Sequence, residues 1–476
     1  MTNDILTKAW VIKATLKNVS PLIMGDGEGD TDKIIQKNAG GLPIINGSAF
    51  KGCLRTAFEE NIDSAGDSKD SKSKIYFWGS EMNNNKTKED LQSQSHLRII
   101  DIRFKEPQAI NVSILDGIKI AHDTQIVEDK AKYDYEVINN EAEFEVTMEI
   151  MLRDGMGEID FKYQISGIKH ILEKNLLQLG AFTSAGFGKL QCIKITVSEF
   201  SFKADAKAWF QYKLSGDLTS NFNPVEIKLQ TKEKLILEAE FNLYGSIMAG
   251  ASTDKPDQYG FDSDKTQYHF NKKPALIGKA IKGSIRHRML QILNTLGVAN
   301  SYQKLYELYG WGAKTKSYKE TETEEEKALS SMGEESRKSR LDVAFTYIHG
   351  TKPTLQDRIK IDRFTQGTVD GAKFDSVPEW SVNKNETQLK LRFALDKPQN
   401  WETFLLIQVL KDLWHSDLAI GGEKNVGRGT LIGKKATLTF NDKKVVFTSG
   451  GVEDVDQRQW IVDLTTEIHN QFKVTE

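Results

Sequence analysis

Only two cysteines, Cys53 and Cys192, occur in 476 residues. Two thiols cannot build a disulfide framework or a four-cysteine zinc site, so both read as buried free thiols. Long apolar runs are missing too. No window approaches the roughly 18 unbroken apolar residues of a membrane span, and the first residues lack the basic start, apolar stretch and cleavage motif of a secretory leader. A cytoplasmic protein with no membrane partner is expected. A strong charge imbalance is likewise absent, the net charge being −3 from 64 basic and 67 acidic residues. That balance weighs against a free-standing nucleic-acid binder, because neutralising phosphates takes a local excess of cations. The average conceals an asymmetry, however. From Lys265 to Tyr306 there is no Asp or Glu, while Lys265, Lys272, Lys273, Lys279, Lys282, Arg286, Arg288 and Lys304 supply positive charge. What remains, 39% hydrophobic and 28% charged, is the composition of a folded chain too long for one core.

The chain repeats itself. Asp30-Thr31-Asp32-Lys33 returns as Asp262-Ser263-Asp264-Lys265, and the stretch from Gly47 to Arg55 (GSAFKGCLR) returns from Gly278 to Arg286 (GKAIKGSIR). Ile118-Lys119-Ile120 with Thr124-Gln125 matches Ile359-Lys360-Ile361 with Thr365-Gln366, and Gly186-Phe187-Gly188-Lys189 matches Gly427-Arg428-Gly429-Thr430. Order is kept throughout at an offset of roughly 230 to 240 residues, as a duplicated unit requires. A glutamate-rich insert at residues 313–340 accounts for the slip and reads as a solvated, mobile loop. The division expected is a first unit over 1–215, a second over 216–440 and a C-terminal extension over 441–476, with a linker at 203–224.

Each copy opens on an alternating strand, Lys8 to Leu16 or Val225 to Leu243, and passes a short apolar run into a helix. Ser48 is the expected N-cap of the first such helix, with Phe50, Leu54, Ala57 and Phe58 on its inner face. In the second, Ile281, Ile285 and Met289 face inward and Lys282 and Arg286 outward. A second helix follows in each copy (Ile168 to Leu179; Trp401 to Leu413), then a GxG loop and a strand. This order predicts an α+β fold of two tandem ferredoxin-like or RNA-recognition-like domains.

The glycine-flanked helix starts carry the chemistry. Glycine lets a phosphate approach the free N–H groups at a helix N-terminus, and cations four residues apart supply counter-charge. Ser48, Lys51 and Arg55, with Lys279, Lys282 and Arg286, are therefore candidate RNA-phosphate contacts. One copy alone would read as an ordinary amphipathic helix; two at matching spacing favour a phosphate polymer. The GxG loops follow a helix and precede a strand, the reverse of a dinucleotide or P-loop site, so Gly186, Gly188, Lys189, Gly427, Arg428 and Gly429 are candidates for holding a backbone instead. The acidic loops offer Asp32 and Asp264 as carboxylates, with Asp30 and Asp262 as neighbours. An EF-hand is excluded by Thr31 and Lys37 at the sixth and twelfth positions. His122 beside Asp123 would form an acid/base pair, but Arg363 and Phe364 occupy those places in the second copy, and a surface histidine is expected.

These residues resemble the RAMP-type CRISPR proteins that form the backbone of type III effector complexes, in the arrangement where two backbone units are fused in one chain. The resemblance rests on Met24-Gly25 and Met248-Ala249-Gly250, the aspartate before each glycine-lysine helix, the aromatic-glycine turns Phe77-Trp78-Gly79 and Leu308-Tyr309-Gly310, the long segment from Arg358 to Asp375, and the terminal glycine loops. It implies a core that holds guide RNA, and a β-rich thumb insertion in each domain that displaces bases of the complementary target RNA, here with His122, Asp123, Gln125, Arg363, Phe364 and Gln366 on the thumbs. It further implies endoribonuclease cleavage near each displaced base by Asp32 and Asp264 with a divalent metal ion, Mg or Mn. The partners implied are guide RNA, target RNA and the other effector-complex subunits: backbone, small and large polymerase-like. The alternatives are a non-catalytic RNA scaffold and a guide-precursor processing endoribonuclease that uses His122.

Overall fold

A computed structural model describes residues 5–25, 34–63, 71–80, 93–122, 124, 126–251, 263–312, 323–333, 335–383, 386 and 388–472. Asp30, Asp32, Asp262, Asp123 and Gln125 lie outside the described residues. The chain separates into two compact units: 1–113 with 136–181 and 188–231, and 114–135 with 182–187 and 232–476.

The first unit runs β1 (Leu6–Asn18), α1 (Gly47–Asn61), α2 (Ser71–Trp78), β2 (Leu97–Phe104), β5 (Glu143–Arg153), α3 (Glu158–Glu173), β6 (Leu190–Ser201) and α4 (Phe202–Ser215), while the hairpin of β3 (Val112–Ile120) and β4 (Val127–Ile138) that lies between β2 and β5 in the chain belongs, over 114–135, to the second unit. Its antiparallel sheet has the order β2-β5-β1-β6. With the hairpin set aside, that is the βαββαβ sequence and strand order of a ferredoxin-like fold. The alternation of β1 explains its two buried faces. Trp10, Ile12, Ala14 and Leu16 join the core shared with α1 and α3, while Ala9 and Val11 pack with Phe200, Trp209 and Tyr212.

Trp209 and Tyr212 belong to α4, so the expected linker at 203–224 is largely a helix that covers the far side of the sheet. Buried Glu149 holds it there by accepting from Tyr212 and pairing with Lys213, and burial with the Glu149 charge pushes the Tyr212 hydroxyl up to about 12. Helix α1 starts two residues earlier than expected: Asn46 is the N-cap and accepts from the Ser48 N–H at 2.8 Å. Phe50, Leu54, Ala57 and Phe58 are buried as its spacing predicts. Helix α3 ends at Glu173 rather than Leu179, and its Gly167 lets α1 approach closely, since a Cβ there would lie 2.3 Å from the Phe58 ring.

The second unit repeats this plan with more embroidery. It contains β7 (Lys234–Tyr244), β8 (Ser246–Ile247), β9 (Gly250–Ala251), β10 (Lys265–Gln267), β11 (His269–Phe270), β12 (Lys273–Leu276), α5 (Gly278–Thr295), α6 (Ser301–Tyr309) and α7 (Glu324–Ser331). There follow β13 (Leu341–Val343), β14 (Thr346–Tyr347), β15 (Thr351–Pro353), β16 (Gln356–Ile361), β17 (Thr368–Val377), β18 (Glu379–Ser381), β19 (Leu389–Asp396), α8 (Asn400–Trp414), β20 (Thr430–Phe440), β21 (Lys443–Thr448) and α9 (Val455–Phe472). The main sheet reads β13-β19-β7-β20-β21, the same topology with one strand added at the edge. Strand β7 begins at Lys234 rather than Val225, because its ladder with β19 starts only there. The C-terminal extension supplies β21, and α9 buries Leu464 and Ile468 in the core with α5 and α8. The architecture is α+β. Both thiols prove half-buried rather than buried.

Candidate RNA-binding and cleavage sites

In the first unit the N-terminus of α1 opens on a polar cleft of about 490 Å³ lined by Ser48, Lys51, Ser95 and Arg98. Lys51 is half-buried there, and burial together with the nearby Arg55 charge pulls its ammonium below the ordinary lysine range. A counter-anion would reverse that shift, which is the electrostatic condition a phosphate meets. Arg55 itself pairs with Glu59 at 3.1 Å, one turn along the helix. Arg98, an exposed cation on β2, was missed in the sequence. It lies outside the repeated words, and only the pairing of β2 with β5 brings it beside the helix start.

The matching cations of the second unit are spoken for within it. The Lys279 ammonium sits 4.3, 4.5 and 4.4 Å from the ring centroids of Tyr133, Tyr135 and Phe182 and hydrogen-bonds the Tyr133 hydroxyl. Lys282 donates to Ser184 at 3.0 Å and Ser339 at 2.8 Å, and burial pushes its pKa down to about 8. Arg286 pairs with Glu325 at 2.7 Å, and Lys119 reaches the other oxygen of that carboxylate at 3.3 Å. The outward-facing cations expected on α5 are thus covered. For Arg286 the reason is that the acidic insert is not wholly a solvated loop: Glu324–Ser331 forms α7, capped by Thr323, and its Glu325 is turned inward.

The glycine loops differ in what they leave open. A Cβ on Gly188 would meet the Leu179 carbonyl at 1.8 Å, and one on Gly429 the Ile420 carbonyl at 1.8 Å. The second glycine of each loop therefore exists for close packing. Gly186 is crowded by the Phe345 backbone at 2.3 Å, whereas Gly427, at φ +86°, has open space above it. Lys189 is half-buried, with its N–H bonded to Ser20 at 2.9 Å. Arg428 is 3% exposed and is occupied by Glu423 at 2.9 Å, Gln356 at 2.7 Å and Ser376 at 3.1 Å, so an inward role replaces the expected phosphate contact.

Asp264 is exposed at the mouth of a cleft of about 310 Å³ lined by Lys265, Arg358, Phe374, Asp375 and Glu423. Its Oδ2 accepts the Asp375 N–H at 3.1 Å, which ties the carboxylate to the root of the β16–β17 hairpin. At the tip of that hairpin, Asp362 accepts from Phe364 N at 2.9 Å and Thr365 N at 2.8 Å, and these bonds hold its carboxyl below the usual range. The turn so formed carries Gln366 at φ +53° and leaves Arg363 exposed and Phe364 96% exposed. In the other hairpin, His122 stacks on His287 with Nδ1 atoms 3.2 Å apart. It is half-buried rather than a free surface residue.

Among the described residues no three His, Cys, Asp or Glu side chains converge as a metal cage. A magnesium-type ion does not need one, since it commonly takes one or two carboxylates and completes its shell with water and substrate phosphate. Asp264 shares its cleft with the carboxylates of Asp375 and Glu423.

A family model described as the RAMP superfamily matches the chain twice, over residues 15–191 and 260–432. Comparison with curated proteins finds no match.

Proposed function

The chain belongs to the RAMP superfamily, and from that premise we propose that it is a guide-RNA-binding backbone subunit of a type III CRISPR effector complex. Superfamily membership points to a CRISPR-associated RNA-binding protein, and the superfamily includes RNA-cleaving members. In this reading the guide backbone follows the cleft of Ser48, Lys51 and Arg98, and complementary target RNA is cut beside the bases that the hairpins displace. Asp264 acts in the second unit and Asp32 in the first. The observation that carries the reading is the placement of the exposed Asp264 carboxylate at the root of a hairpin whose tip presents Phe364 to solvent. A wedge and an acid are thereby linked through one sheet, since Lys265, next to Asp264, pairs with Ser376 of β17. A magnesium or manganese ion held by Asp264, and in the first unit by Asp32, would supply charge neutralisation at the scissile phosphate. The protein's own part is to position that carboxylate and to hold the strand in line.

The test is target cleavage by the assembled complex. Asp264→Ala and Asp32→Ala should each abolish one cut while guide retention stays intact. If every cut survives in both variants, the subunit is a scaffold and the catalytic assignment fails. Lys51→Ala should weaken RNA of any sequence alike and lessen the salt slope by roughly one unit; a change in sequence preference would contradict a backbone contact.

A further inference from the structure

A second cleft, of about 580 Å³, opens in the second unit beside the Asp264 cleft and shares Arg358 with it as a wall. Tyr244, 63% exposed at the end of β7, and Trp380 on β18 line it, together with Gln356, Gly427 and Arg428. Its volume lies within the usual range for a small-molecule site. The charges around it cancel, because Glu423 pairs with both Arg358 and Arg428 and Asp357 in the lining supplies the second negative charge. The cleft is therefore ill suited to seat a phosphate, which needs uncompensated cations. What it offers is aromatic area, the amide of Gln356, and at Gly427 a left-handed backbone with nothing above it to block a sugar. Aromatic surface with neutral polar groups is how proteins hold an unstacked base.

We infer that this cleft takes one unstacked nucleobase of the bound RNA, with Tyr244 as its stacking platform. The inference rests on the RNA-binding reading above and adds the destination of a displaced base. Arg358 joins the two clefts, so a base held against Tyr244 leaves its flanking phosphate toward Asp264. Tyr244 positions the strand and is not itself a catalytic residue.

The experiment uses the full chain and single-stranded RNA oligomers carrying 2-aminopurine at successive positions, read by fluorescence and by anisotropy. With the wild type, emission at one position should be quenched on binding. Tyr244→Ala should restore that emission and weaken binding about tenfold, as loss of one base–aromatic stack does, and Tyr244→Phe should keep both properties. Because the ring is mostly exposed, neither change should disturb folding, which circular dichroism checks. If RNA binds with equal affinity to wild type and Tyr244→Ala and no position is quenched, the base subsite does not exist although the RNA-binding reading survives. Failure of the wild type to bind any RNA would overturn both.

Discussion

Replacing Lys279 with Met separates two roles that its position allows. Methionine keeps the length and apolar contact of the stem while removing the charge. The ammonium lies about equally far from three aromatic rings and bonds the Tyr133 hydroxyl. A partly desolvated cation over an aromatic face contributes about 1–2 kcal/mol, and a hydrogen bond with a charged donor about 1.5 kcal/mol. The contacts overlap, so a combined loss of about 2 kcal/mol is reasonable, and that is roughly a thirtyfold rise in local opening. The rings belong to the β4 segment and to the turn at Phe182, so the loosening should be local. Hydrogen exchange read by mass spectrometry should show peptides spanning Val127–Tyr135 exchanging about thirty times faster in Lys279→Met, with β1 and β5 unchanged. Unaltered exchange in the hairpin, accompanied by weaker RNA binding, would refute the reasoning and return Lys279 to the phosphate contact that its place in the repeat suggested.

Four further outcomes are expected. Gly429→Ala should cost about 3 kcal/mol or more of stability, since a Cβ there overlaps a carbonyl at positive φ, whereas Gly427→Ala should cost only about 1 kcal/mol; similar losses in thermal melts would contradict the packing argument. Glu325→Gln should lower the urea midpoint by an amount worth about 2 kcal/mol by leaving Arg286 and Lys119 without their shared carboxylate, and no change would mean that the pairing is idle. Burial and the neighbouring His122 push His287 down to about 4. Its unfolded value is near 6.5, so the unfolded state binds the extra proton first: stability is full above about 6.5 and falls as pH drops toward 4, by about 1–2 kcal/mol after allowance for partial exposure. His287→Gln should flatten that slope in urea titrations at pH 7, 5.5 and 4.5. Lys282, pushed down to about 8 by burial, follows the same sign at alkaline pH, so stability should rise between about 8 and 10.5 and Lys282→Met should lose that rise.

The duplication, the α+β class and the inner faces of α1 and α5 could be read directly from the chain, because repeated words and helical spacing are local properties. Family membership was legible for the same reason: the motifs that carry it are contiguous. Other features were not. Lys279, Lys282 and Arg286 looked like copies of Ser48, Lys51 and Arg55, yet the rings of Tyr133, Tyr135 and Phe182 cover the first, the hydroxyls of Ser184 and Ser339 hold the second, and Glu325 of α7 pairs with the third. Arg428 looked like a phosphate ligand until Glu423 was found beside it. Tyr244 and Trp380 belong to no motif, and only the fold sets them beside Gly427 of the glycine loop. Sequence thus determined which residues could bear charge and which elements would form, since those depend on neighbours a few positions away. Whether a cation meets RNA, a carboxylate or an aromatic ring was decided by tertiary structure, because burial and pairing between distant segments set the cost of leaving that charge unpaired.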